Sequence, residues 1–314
     1  MKHFLSVKDV PDLPALVAKA AQMKANPFAY EALGRRKTLG LLFFNPSLRT
    51  RISTVKAAQN LGMETIVMNV TQDSWQLETE EGAIMEGGKA EHVKEAAAVI
   101  GSYCDVLAVR SFPGLKDSQE DYQEKILNAF VQHANRPVVN MESATLHPLQ
   151  SLTDVLTIEE HRRIAKPKVV LTWAPHVKPL PQAVSNSFAE WVSQTDYELM
   201  IAAPKGYELS TQFTGNAMVT DDQSAALAGA DFVYAKNWSS YHDYGQVGQH
   251  PDWIIDQAKM DLTNEAYFMH CLPVRRNVVV TDEVMDSERA IHIQQAANRT
   301  WAAQAVLHTL LTNI

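Results

Sequence analysis

The sequence predicts an α/β fold built as two open domains, each around a parallel sheet. Three observations carry this. Short apolar runs bounded by turn residues alternate with segments whose apolar residues recur at helical spacing, the pattern of a parallel sheet covered by helices on both faces. The alternation starts afresh near residue 150. The chain has 314 residues, enough for two domains of ordinary size. The domains are expected at 1–145 and 146–296, with a hinge near 142–150 and a C-terminal helix, 297–314, packing back on the first domain.

The elements follow in order. Residues 8–24 carry a helical pattern (Val10, Leu13, Leu16, Val17, Ala20). Residues 39–44 are a short apolar run and read as a buried strand. Helix 47–61 and strand 64–70 come next. Residues 71–92 are polar and glycine-containing and read as a long exposed loop around Trp75; long loops in compact domains are often functional. Helix 91–101, strand 104–109, helix 119–134 and strand 137–141 complete the first series. The second series runs helix 151–163, strand 168–173, a proline-rich loop, helix 181–193, strand 197–203, a short strand near 216–219, helix 222–229 and strand 231–235. A polar aromatic loop, 236–253, precedes strand 266–269, and an amphipathic helix, 297–311, follows with Arg299 in its first turn.

The most informative stretch is residues 39–53, LGLLFFNPSLRTRIS. The strand breaks at Asn45-Pro46, and Ser47 stands where an N-cap belongs. A strand running into a helix N-terminus presents free backbone N–H groups and the positive end of the helix dipole. Arg49, Arg51 and the hydroxyls of Ser47 and Thr50 make that first turn an anion site, most naturally for phosphate. An ordinary helix start with solvated arginines accounts for the same residues.

Composition narrows the class. The chain is 46% hydrophobic and 20% charged, with a net charge of −8. That balance disfavours general nucleic-acid or membrane-surface binding and leaves room for a local basic pocket. Two cysteines, Cys104 and Cys271, exclude a disulfide framework or a cysteine-rich zinc site. No run approaches the roughly 20 apolar residues of a membrane helix, and the N-terminus does not read as a signal peptide; a reducing cytoplasm fits. No metal or cofactor is expected, since metal-ligand spacing, Walker A and G-x-G-x-x-G are all missing.

Other clusters stand at predicted strand ends, where ligands bind in open parallel sheets. His147-Pro148-Leu149-Gln150 follows strand 137–141; His147 and Gln150 can both donate to one carbonyl oxygen, though a loop histidine often has no role. Arg110 ends the 104–109 run, where a surface salt bridge is the default. His270-Cys271-Leu272-Pro273 follows strand 266–269.

Together these segments resemble the aspartate/ornithine carbamoyltransferases. F-x-x-P-S-x-R-T-R is similar to the family's carbamoyl-phosphate loop, with Leu48 departing from its usual Thr. His147–Gln150 is similar to H-P-x-Q, with Leu149 a mild departure, and 270–273 to H-C-L-P. The resemblance covers essentially the whole chain, with the motifs in the family's order. It implies carbamoyl-phosphate binding by Ser47, Leu48, Arg49, Thr50, Arg110, His147, Gln150 and Arg299, and by Trp75 reaching a neighbouring subunit's site in a homotrimer. Trp75 reads equally as a hydrophobic anchor for its loop. The resemblance also implies that Arg110, His147, Gln150 and Thr50 donate to the carbamoyl oxygen. The backbone of Cys271 and Leu272 would orient the carbamoyl amide and the incoming amine, so Cys271 is not expected to act as a nucleophilic thiolate.

Within the family the chain is most similar to the branch acting on N-acylated ornithine. Ornithine enzymes carry an Asp for the free α-ammonium where this chain has Lys236, and a lysine there would repel an ammonium and attract a carboxylate. Glu142, His176, Lys236 and Arg275 match the branch's substrate set, and residues 174–188 resemble its proline-rich segment, which implies a knotted second domain. N-acetylornithine enzymes have Glu where this chain has Ala90 and Lys where it has Val279. Loss of the Glu stops repulsion of a second carboxylate, so the charge logic favours N-succinylornithine, although Ala90 is not the proline usual in such enzymes. The expected activity is transfer of a carbamoyl group to the δ-amine of N-succinyl-L-ornithine. N-acetylornithine or ornithine as acceptor, and a catalytically silent metabolite-binding protein on the same fold, are the alternatives.

Overall fold

The computed structural model describes residues 1–313. The chain divides into two compact units: Met1–Pro113, Gln119–Leu149 and the chain from Arg299 onward form unit 1, and Gly114–Ser118 with Gln150–Asn298 form unit 2.

Unit 1 is organised on β1 (Thr38–Phe43), β2 (Glu64–Asn69), a small ladder of β3 (Leu77–Glu78) and β4 (Glu91–His92), β5 (Val106–Arg110) and β6 (Val138–Glu142). Its main sheet is parallel, in the order β2-β1-β5-β6. β1 and β5 are buried almost throughout because they lie inside a sheet covered on both faces. The helices are α1 (Leu13–Ala25), α2 (Leu48–Asn60), α3 (Val70–Asp73), α4 (Val93–Tyr103), α5 (Ser118–Asp121) and α6 (Lys125–His133). α7 (Pro148–His161) begins at the unit's edge. The core gathers Leu42, Val93, Ala97, Leu107, Val109, Leu127, Phe130 and Val138 between sheet and helices.

Unit 2 carries β7 (Lys168–Trp173), β8 (Glu198–Ala202), β9 (Met218–Thr220), β10 (Phe232–Lys236) and β11 (Tyr267–Met269) in one parallel sheet ordered β11-β10-β7-β8-β9. Its helices are α8 (Ala183–Val192), α9 (Thr211–Thr214), α10 (Gln223–Leu227), α11 (Gln257–Met260) and α12 (Asp282–Met285). α13 (His292–Leu311) closes the chain. The boundaries at 149/150 and 298/299 fall inside α7 and α13.

Several sequence expectations are corrected. Helix 8–24 starts only at Leu13, where Asp12 caps the Ala15 N–H at 2.9 Å. Helix 119–134 is two helices, because Glu124 sits at φ 48° while its carboxylate accepts from the Thr145 N–H and hydroxyl at 2.9 and 2.7 Å. Loop 71–92 is ordered by the β3–β4 ladder and by Lys89–Glu78 and Lys94–Glu81 pairs. The final helix begins at His292, so Arg299 lies in its second turn. The segment 236–240 is wholly buried. Its polar groups are met inside: Asn237 donates to Ala174 O at 2.7 Å, and the Trp238 indole donates to Tyr207 O at 2.7 Å. Among the described residues no helix is long and apolar enough to cross a membrane.

Candidate active site

In each sheet the strand order reverses direction once, between β1 and β5 in unit 1 and between β7 and β10 in unit 2. Ligands of open α/β sheets bind beyond the carboxyl ends of strands at such points.

In unit 1 the pairing register aligns Phe43, Arg110 and Glu142 in one row across the carboxyl edge of β1, β5 and β6. Past Phe43 the chain turns into α2. Ser47 occupies the N-cap position but makes no side-chain cap bond, contrary to the usual behaviour of a serine there. The first-turn amides therefore have no serine oxygen to satisfy them, and the positive end of the helix stays available to an anion. Arg49 is half-buried beside them, Leu48 is exposed, and Thr50 is buried. Arg299 comes from α13 to donate through Nη2 to Thr50 Oγ1 at 2.6 Å. The sequence counted two arginines in this turn. The structure turns one away: Arg51 bonds to Asn69 Oδ1 and lies 5.0 Å over the Phe43 ring.

Arg110, only 8% exposed, donates to the Glu142 carboxylate and lies 5.5 Å from the Phe112 ring. His147 Nε2 is 3.6 Å from the same Glu142 oxygen. Glu142, grouped by sequence with the acylornithine set, thus stands between the two residues expected to polarise a carbonyl. A buried carboxylate there orients the guanidinium and the imidazole together. Trp75 is 57% exposed and donates through Nε1 to Glu91 at 2.8 Å. Ala90, next to Glu91, bonds through its N–H to Gln76 O, so the loop brings Trp75 and Ala90 side by side.

In unit 2, Lys236 ends β10 in register with Trp173 of β7. It is buried, with Nζ 2.9 Å from Asn237 O. His176 lies just beyond β7. Burial pushes its pKa below the ordinary value, and the nearby charges of Lys236 and Arg275 push the same way against a hydrogen bond to the Lys178 carbonyl. Three nitrogen-bearing side chains therefore share one neighbourhood, and the imidazole stays neutral so that only two carry charge. Such a cluster suits a carboxylate. Past β11, Leu272 adopts φ 56°, uncommon for leucine, and its N–H bonds to His270 Nδ1 at 2.9 Å. Cys271 is buried beside the Tyr234 hydroxyl. Val279, the second position thought to sort acyl groups, is buried, its N–H bonded to Arg275 O.

Gln150 sits in the first turn of α7, and its Nε2 donates to Asp154 Oδ1 at 2.7 Å. The amide nitrogen expected to serve a carbonyl oxygen thus faces Asp154, with Oε1 at the other end of the amide. Sequence reading missed Asp154 and Gln295, which donates to the same Oδ1 at 2.7 Å. The i, i+4 spacing of Gln150 and Asp154 on one helix was the available signal.

An open helix N-terminus flanked by arginine and hydroxyl groups, and polar clusters at the carboxyl edges of two parallel sheets, mark an α/β protein suited to anionic ligands. Residues 2–160 match the family model for the aspartate/ornithine carbamoyltransferase carbamoyl-P binding domain, and residues 181–310 match that for the Asp/Orn binding domain. The chain belongs to the aspartate/ornithine carbamoyltransferase family. It is 54% identical, over the full length of both chains, to N-succinylornithine carbamoyltransferase of Bacteroides fragilis. To N-acetylornithine carbamoyltransferase of Xanthomonas axonopodis pv. citri it is 37% identical, over 99% of this chain and 96% of that one. A glutamate-to-alanine mutant of N-acetyl-L-ornithine transcarbamylase, solved with carbamyl phosphate and N-succinyl-L-norvaline, superposes with a TM-score of 0.93 at 37% identity, covering 99% of this chain and all of that one.

Proposed function

We propose that the chain transfers the carbamoyl group of carbamoyl phosphate to the δ-amine of N-succinyl-L-ornithine, giving N-succinyl-L-citrulline and phosphate, in arginine biosynthesis in the cytoplasm. The observation that carries the reading is that one chain holds both required anion-binding sets: the uncapped α2 N-terminus with Arg49, Thr50 and Arg299, and the Lys236, Arg275 and His176 cluster.

In this mechanism the first-turn amides, including that of Leu48, with Ser47, Arg49, Thr50 and Arg299, hold the phosphate. Arg110 and His147, oriented by Glu142, donate to the carbamoyl oxygen as it becomes an oxyanion; one such donor is typically worth about 3–4 kcal/mol. Gln150 accepts through Oε1 from the carbamoyl NH2 group. The backbone carbonyls of Cys271 and Leu272 accept from the incoming amine, which attacks as the neutral base. The departing phosphate takes the amine proton, so positioning and charge stabilisation supply most of the acceleration. Lys236, Arg275 and His176 hold the acceptor's carboxylate.

Ala90 sets the acyl preference. A small neutral residue there accepts the second carboxylate of a succinyl group that a glutamate would repel. The higher identity to N-succinylornithine enzymes supports this, as does a solved neighbour in which loss of a glutamate accompanies an N-succinyl ligand. The same reading makes the protein a homotrimer in which Trp75 completes a neighbouring site, with a knotted second domain; exposed Leu48, Ile52, Ile84 and Met85 support association through this region of unit 1.

The test is citrulline-type product formation from carbamoyl phosphate with N-succinylornithine, N-acetylornithine, ornithine and aspartate in turn. Wild type is expected to turn over the succinyl substrate, and Ala90→Glu to lose at least about tenfold in kcat/KM for it while gaining on the acetyl substrate. Preference of the wild type for N-acetylornithine would overturn the assignment of Ala90.

A further inference from the structure

In unit 2 four segments converge on one fully buried carboxylate, Asp154, which lies one helical turn beyond Gln150 on α7. The polarity of this network follows from a single unambiguous donor. The backbone N–H of His270 bonds to Gln295 Oε1 at 2.9 Å. A main-chain N–H can only donate, so the oxygen end of Gln295 faces His270 and its NH2 end faces Asp154, at 2.7 Å from Oδ1. Asp154 Oδ1 is therefore an acceptor, and the group that Gln150 turns toward it must be its NH2. The Tyr234 hydroxyl is buried beside the same carboxylate and Cys271; burial, followed by the charge of Asp154, holds its pKa well above the ordinary phenol value, so it stays protonated.

We infer that Asp154 is a positioning residue that sets the amide polarity of Gln150 and locks it to the 270–272 strand end. This rests on the proposed carbamoyl transfer. With its nitrogen held by Asp154, Gln150 offers an oxygen, which recognises a ligand bearing an NH2 group and gains nothing from a methyl in its place. Without the Asp154 oxygen the amide rotates and either end faces the ligand. Asp154 thus controls discrimination between carbamoyl phosphate and acetyl phosphate, which differ by that one group. Through Gln295 the same carboxylate ties the 270–272 strand end to Gln150.

The experiment measures equilibrium binding of carbamoyl phosphate and of acetyl phosphate to the full-length protein. Wild type is expected to favour carbamoyl phosphate by about tenfold, the scale of one hydrogen bond in a buried site. Asp154→Leu is expected to lose most of that ratio by weakening carbamoyl phosphate alone. Asp154→Asn, which keeps an oxygen at the Oδ1 position, is expected to hold the ratio within about threefold. Asp154→Ser, whose shorter side chain cannot reach Gln150, repeats the test if the leucine variant does not fold. A folded leucine or serine variant that keeps the wild-type ratio, or weakens both ligands equally, overturns the positioning role while leaving carbamoyl transfer standing. A wild type that binds carbamoyl phosphate no better than acetyl phosphate overturns both.

Discussion

Whether a helix N-terminus holds an anion depends on what its first amides already touch, and at α2 that turns on Ser47. The serine is legible in the sequence; that its hydroxyl caps nothing is not, because capping is decided by a rotamer. Arg51 teaches the same lesson. Its spelling beside Arg49 reads as a second anion ligand, yet Asn69 and the Phe43 ring claim it. Glu142, Arg110 and His147 meet only because β5 and β6 pair with a register shift after Val109 that sets Arg110 opposite Glu142, which spacing along the chain does not reveal. His147→Ala is expected to lower kcat about 10²–10³-fold, the loss typical of one oxyanion donor, in a steady-state assay with carbamoyl phosphate and N-succinylornithine.

At the scale of elements, the strands were legible because buried parallel strands are short apolar runs, and their carboxyl ends located Arg110, Lys236 and the 270–273 segment to within a residue or two. The helices were legible in their middles and less so at their ends. Helix α2 stops because Gly62 follows it at φ 76°, a left-handed conformation that suits glycine. A Cβ there would also lie 2.2 Å from the Glu31 carbonyl oxygen. Gly62→Ala is expected to cost about 2–3 kcal/mol in urea unfolding, from the strained φ and the displaced turn together. The half-amphipathic pattern of 119–134 hid the break at Glu124, because the carboxylate that holds that turn pairs with Thr145, far along the chain.

At the scale of the whole molecule, partly buried histidines contribute to the pH response. Burial pushes His3, His176, His292 and His308 below the ordinary value of 6.5, in each case reinforced by a nearby cation. A depressed pKa in the folded state means that the unfolded chain binds more protons between the folded value and 6.5, so stability is full above that window and is lost as pH falls through it. Thermal melts are expected to show a lower Tm at pH 5.5 than at pH 7.5. No change, or a rise, would show that these imidazoles are not held neutral.

The sequence by itself determined the two parallel sheets, the family motifs in their order, and the residue types from which a carbamoyl-transfer site is assembled. Those follow from periodicity and local spelling, which are written along the chain. Tertiary structure alone decided which partners those side chains take: Glu142 between Arg110 and His147, Arg299 on Thr50, and Asp154 setting the amide of Gln150. Each is a contact between buried polar groups, and a group removed from water must take whatever partner folding brings within hydrogen-bond reach.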